Sequence, residues 1–82
     1  MSRPNREQIQ ETLAAAGQAH HQYETEYLGG ERDENWPAWY AAYVLGRLGD
    51  FMTPNSLTRC LEGTTGDGDW NALAAESVFK QL

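Results

Sequence analysis

Eighty-two residues carrying twelve Asp and Glu against six Lys and Arg, a net charge of −6, make one small acidic domain. Five scattered arginines and one lysine are too few cations to hold a phosphate backbone, which excludes nucleic acid as an expected partner and an anionic membrane surface with it. Cys60 stands alone, so no internal disulfide is expected; the amino-terminal residues lead into no apolar run, nothing nears the ~20 residues that span a bilayer, and the expected location is the cytoplasm.

A chain of this size hides only about 60% of the surface that its unfolded form exposes. Three Trp, four Tyr and two Phe supplement the core, because each such ring can bury on the order of 150 to 250 Å². A second copy of the chain would supplement it further, and dimerisation is an expectation from size alone.

The first element keeps Ile9, Leu13, Ala16, His20, Tyr23 and Tyr27 on one helical stripe. Asn5 is placed to cap it, with Gln8 positioned for the reciprocal bond of a capping box, and Gly29 and Gly30 stop it after Leu28. Helix one is therefore expected from about Arg6 to Leu28. Gly17 inside it costs roughly 1 kcal/mol against Ala, and the small residues around it predict a close backbone approach by another helix. The heptad flanks of this helix carry Glu24 and Glu26 with no lysine or arginine to answer them. A parallel self-paired coiled coil is thus poorly specified, and the stripe is expected to meet the next helix of its own chain.

A short acidic loop, Gly29 to Asn35, makes the second helix an antiparallel neighbour of the first. Pro37 suits a first helical turn, where its missing N–H is no loss, and the run Trp36-Pro37-Ala38-Trp39-Tyr40-Ala41-Ala42-Tyr43-Val44-Leu45 follows it to Leu48 and Gly49. A helix so apolar on every side is expected to be buried. Thr53-Pro54 opens a third helix with Leu57, Cys60 and Leu61 on one face and Gly63 as its stop. Asp69 then caps a fourth, lined by Trp70, Leu73, Ala74, Ser77 and Val78. No segment alternates with period two over strand length. The expected fold is all-α: a long antiparallel helical hairpin with two shorter helices packed on it, four helices in a single domain over residues 1–82.

His20 and Glu24 stand four apart, and His21 three from Glu24, so two imidazoles and a carboxylate are the weak candidates for a metal. No second His or Cys cluster completes the set, and no metal is assigned. The alternative is that His20 is packed in the stripe and hydrogen-bonded to a carboxylate or a tyrosine, with His21 in solvent. Trp36, Trp39, Tyr40 and Tyr43 are candidates to line a ligand pocket together with His20 and Glu24, against the simpler role of core. The acids Glu24, Glu26, Glu31, Asp33 and Glu34 fail the spacing of a calcium loop, as does the segment from Asp67, where Ala72 and Val78 stand at the positions for Gly and Glu. Asp33 and Glu34 suit the N-terminus of helix two instead. Cys60, Ser56 and Ser77 are the available nucleophiles, and no glycine-rich turn or adjacent base activates any of them; no catalytic residue and no cofactor is assigned.

The Tyr23–Leu45 segment, with its Tyr-Glu, Leu-Gly-Gly and Asp-x-x-Trp-Pro-x-Trp-Tyr-Ala-x-Tyr pattern, resembles a recurrent feature of short bacterial proteins to which no activity attaches. The resemblance implies a bacterial source and a helical hairpin. The functional expectation is a non-catalytic interaction module, homodimeric or bound to another protein; the alternative is a small-ligand or metal-binding protein using His20, Glu24 and the Trp36 to Tyr43 aromatics.

Overall fold

Three of the four helices start where the sequence offers a side-chain partner for their free N–H groups, and the computed structural model, which describes residues 3–82, shows those partners in place. Helix α1 spans Arg6–Tyr27, α2 Trp36–Leu48, α3 Pro54–Glu62 and α4 Trp70–Phe79, and no strand occurs among the described residues. At α1 the expected capping box is complete: the Gln8 N–H donates to Asn5 Oδ1 at 2.7 Å, and the Asn5 N–H donates to Gln8 Oε1 at 2.9 Å. Thr53 accepts from the Ser56 N–H at 3.2 Å and Asp69 from the Asn71 N–H at 3.0 Å. Helix α2 differs, since Asn35 makes no side-chain cap and Pro37 lies in the first turn. Helix α1 ends as its glycines predict, with Gly29 and Gly30 at φ 65° and 86° and the Gly30 N–H donating to the Glu24 carbonyl at 2.9 Å.

The hairpin of α1 and α2 carries the shorter helices on separate arms, α3 on α2 and α4 on α1, and α3 and α4 touch each other. The backbones of the diagonal pairs stay apart. The Trp70 ring at the head of α4 bridges one diagonal by reaching Trp36 and Tyr40 on α2. At the other end of α4, Arg6 donates to Glu76 at 2.6 Å and Arg3 to the Leu82 carbonyl, tying the start of α1 to the end of the chain. The Arg6–Glu76 pair is solvent-exposed on both sides, so it fixes register more than it stabilises.

Every helix contributes to one aliphatic core: Ile9 and Leu13 from α1, Ala41, Val44 and Leu45 from α2, Leu57 and Leu61 from α3, and Ala74, Ala75 and Val78 from α4. The expectation of a fully enclosed α2 is corrected. Its buried residues are Pro37, Ala41, Val44 and Leu45, whereas Ala38, Ala42, Gly46 and Arg47 face solvent. Helix α2 is flanked by α1 and α3 alone, which cannot surround it, and the small residues Ala38, Ala42 and Gly46 at its outward positions make that exposure inexpensive. The stripe of α1 is likewise buried only from Ile9 to His20; Tyr23 is half-buried and Tyr27 is 76% exposed.

Candidate functional site

The end of the hairpin near its loop is built around His20, a buried polar side chain at 5% exposure. It occupies the stripe position where α1 still faces inward, so its ring nitrogens need partners that water cannot supply. Its Nε2 lies 2.9 Å from Asp33 Oδ2, and its Nδ1 lies 3.7 Å from Glu24 Oε1. The two carboxylates are themselves tied together, because Glu24 Oε2 accepts the Asp33 backbone N–H at 2.8 Å. Asp33 Oδ1 also accepts the Asn35 N–H at 2.9 Å. One loop residue thus links the last turns of α1 to the start of α2. The bond from His20 holds the Asp33 carboxyl below its ordinary value of 3.8, against a smaller upward push from burial and helped by the Asn35 N–H.

Three aromatic rings close around the imidazole. Trp39 meets it edge-on at 4.9 Å between ring centroids, Tyr40 lies at 5.3 Å and Tyr23 at 6.1 Å. From this joint the aromatic residues divide into two groups. The inner group, Trp36, Tyr40 and Trp70, packs against the aliphatic core with its rings edge to face, at 5.4 to 5.8 Å and interplanar angles of 76° to 88°. Burial, with the Glu24 charge as a second cause, raises the Tyr40 hydroxyl above its ordinary value of 10.0.

The outer group forms a ladder along the seam of α1 and α2. Tyr27 and Tyr23 are 5.7 Å apart at 31°, Tyr23 and Trp39 5.8 Å apart at 31°, and Trp39 and Tyr43 5.7 Å apart at 15°. The Arg47 guanidinium ends it, with Cζ 5.6 Å from the Tyr43 ring centroid and Nη1 donating to Tyr43 Oη at 3.2 Å. The Tyr43 end of the row is therefore covered by Arg47, the three rings behind Tyr27 are half-buried, and Tyr27 at the other end is open to solvent.

The residues singled out in the sequence therefore fall into place as follows. His20, Glu24, Trp39 and Tyr40 come together, Trp36 lies one ring further in, Tyr43 one ring further out, and His21 is exposed away from them. Asp33, read as a helix-terminus residue, is also the main partner of His20. The sequence signals that a histidine on an apolar stripe needs a polar partner, but it does not single out Asp33 among the acids of the loop. Among the described residues no group of three or more His, Cys, Asp or Glu side chains is arranged to hold a metal ion. The Cys60 thiol is half-buried, and burial pushes it above its ordinary value, which leaves it less thiolate than a free cysteine. No described helix is long and apolar enough to cross a membrane. Against family models, curated proteins and solved structures, the chain has no match.

Proposed function

We propose that this protein is a non-catalytic interaction module that holds a protein partner on the aromatic ladder of its hairpin. The ladder Tyr27–Tyr23–Trp39–Tyr43 is the observation that supports the reading. Tyr, Trp and Arg are the residues enriched where interfaces draw their affinity, since each offers a large contact area and a polar group at modest entropic cost. In a domain short of core material, four of seven Tyr and Trp residues are placed outside the core cluster and its packing shell. The His20, Asp33 and Glu24 cluster positions this face. The imidazole is bonded to Asp33 through Nε2, faces Glu24 through Nδ1 and has its ring enclosed, so its role is to fix Tyr23 and Trp39 from beneath.

A photoreactive phenylalanine analogue at position 27 tests this, with the exposed Glu62 of α3 as the control position. In cells producing the protein, irradiation is expected to join position 27 to a protein, either a second copy or another chain, and to leave position 62 unjoined. Equal crosslinking at both positions, or none at either, would overturn the proposal.

A further inference from the structure

The ladder is chemically different at its two ends. At the α2 end, Tyr43 already carries a guanidinium, and no carboxylate lies within 4 Å of Arg47 among the described residues, so ring face and hydroxyl alone hold it. At the loop end, Tyr27 is 76% exposed and the last turn of α1 has no basic residue. The stretch from residue 24 to 34 carries five acids and only Arg32. Glu24 and Asp33 are committed to His20, which leaves Glu26, Glu31 and Glu34 exposed in the same stretch as the open tyrosine, Glu26 with only a long bond from Gln22 at 3.4 Å.

We infer that the Tyr27 end of the ladder takes an arginine-bearing basic segment of the partner, with a guanidinium stacked on Tyr27 and the segment's charge answered by the exposed carboxylates of Glu26 and Glu31. This rests on the docking face proposed above and names what docks there. Arginine is favoured over lysine because its planar, weakly hydrated group stacks on a ring while its fork of N–H donors meets a carboxylate. The Arg47–Tyr43 contact shows the stacking half of that arrangement within the chain itself. A second copy is the poorer occupant, since two chains of net charge −6 repel while a basic segment is drawn in.

The experiment is an NMR titration of the whole protein with a nonapeptide of three Gly-Arg-Gly repeats, and with its Gly-Lys-Gly counterpart. The arginine peptide is expected to shift the Trp39 indole and the amides of residues 24–34 in a saturable way, to bind more tightly than the lysine peptide, and to weaken as salt is added. Tyr27→Ala, at an exposed position that leaves the fold intact, is expected to weaken binding about two- to fivefold, and Glu26→Gln with Glu31→Gln to weaken it and flatten its salt dependence. Equal binding of both peptides, undiminished binding by Tyr27→Ala, or shifts outside this region would overturn the inference. If dilution of the protein alone moves the same resonances and neither peptide does, a second copy occupies the ladder; the arginine inference then fails and the docking face stands. Silence in the titration and the dilution, together with no crosslink at position 27, removes both.

Discussion

The two aromatic groups are made of the same residue types and differ in how their rings meet. In the inner group, Trp36, Tyr40 and Trp70 meet edge to face, which lets rings of three orientations fill a volume from several sides. In the outer group the rings of Tyr27, Tyr23, Trp39 and Tyr43 are inclined to one another by only 15° to 31°, which strings them in a line along the seam. Aromatic content alone does not locate a core: Trp36, Tyr40 and Trp70 pack on the aliphatic cluster, and the other four rings do not.

The largest expected effect lies in the inner group. Trp70→Ala removes the ring that bridges α4 to α2, and it is expected to cost about 3 kcal/mol or more, the range for deleting a packed indole. Tyr27→Ala, at the exposed end of the ladder, is expected to stay within about 0.5 kcal/mol of the parent. Urea unfolding of both variants checks the contrast. Comparable losses would mean that the ladder is core after all.

His20 joins the two groups, touching Tyr23 and Trp39 on one side and Tyr40 on the other. His20→Ala is expected to cost about 2 to 3 kcal/mol, because ring contacts vanish on three sides and a buried bond goes with them. Trp39 fluorescence should change in the folded state as well, since the edge contact at 4.9 Å orders that indole. A variant with full loss of stability and an unchanged emission would separate His20 from the ladder.

Asp33 gives this joint an acid limb. Its folded pKa is depressed, so the stabilisation it supplies is present above the ordinary value of 3.8 and is lost as pH falls below that value through the folded one. Asp33→Asn is expected to be less stable than the parent at neutral pH and to lose less stability on acidification from pH 5 to 3, as measured by denaturant midpoints. Parallel pH profiles would show that the ionised carboxylate contributes nothing particular to the folded state.

Helix limits were legible because their signals are local. Asn5 with Gln8, Thr53 before Pro54 and Asp69 before Trp70 each declare a start within four residues, and glycines declare the stops of α1, α2 and α3. The sorting of aromatics was not legible, since period and composition place Trp36 and Trp39 on one apolar helix without saying which side another helix will cover. That depends on Trp70, which stands 34 positions beyond Trp36 in the chain and packs against it. The bond from His20 to Asp33 was hidden for a similar reason. A loop acid beside a helix start has a sufficient local role, and the second role appears only when the loop folds back.

Glycine supplies the finest test, with a difference below about 1 kcal/mol. Gly46 and Gly17 both lie inside helices, and a methyl group built at Gly46 meets nothing within 4 Å, whereas one at Gly17 comes to 3.3 Å from the Tyr40 hydroxyl. The backbone approach expected around Gly17 is thus corrected: a side chain of α2 comes near it, and no backbone of another helix does. Gly46→Ala is expected to stabilise by about 0.5 to 1 kcal/mol through helix propensity alone. Gly17→Ala is expected to gain less, because Tyr40 is held by His20, Trp36, Trp39 and Trp70 and has little room to retreat. In a Tyr40→Phe background the obstructing oxygen is gone, and the same Gly17→Ala change should recover the full gain seen at Gly46. A thermal-melt comparison of the four variants reads the inner group's rigidity directly: if Gly17→Ala already equals Gly46→Ala, Tyr40 gives way and its ring is less firmly set than its neighbours imply.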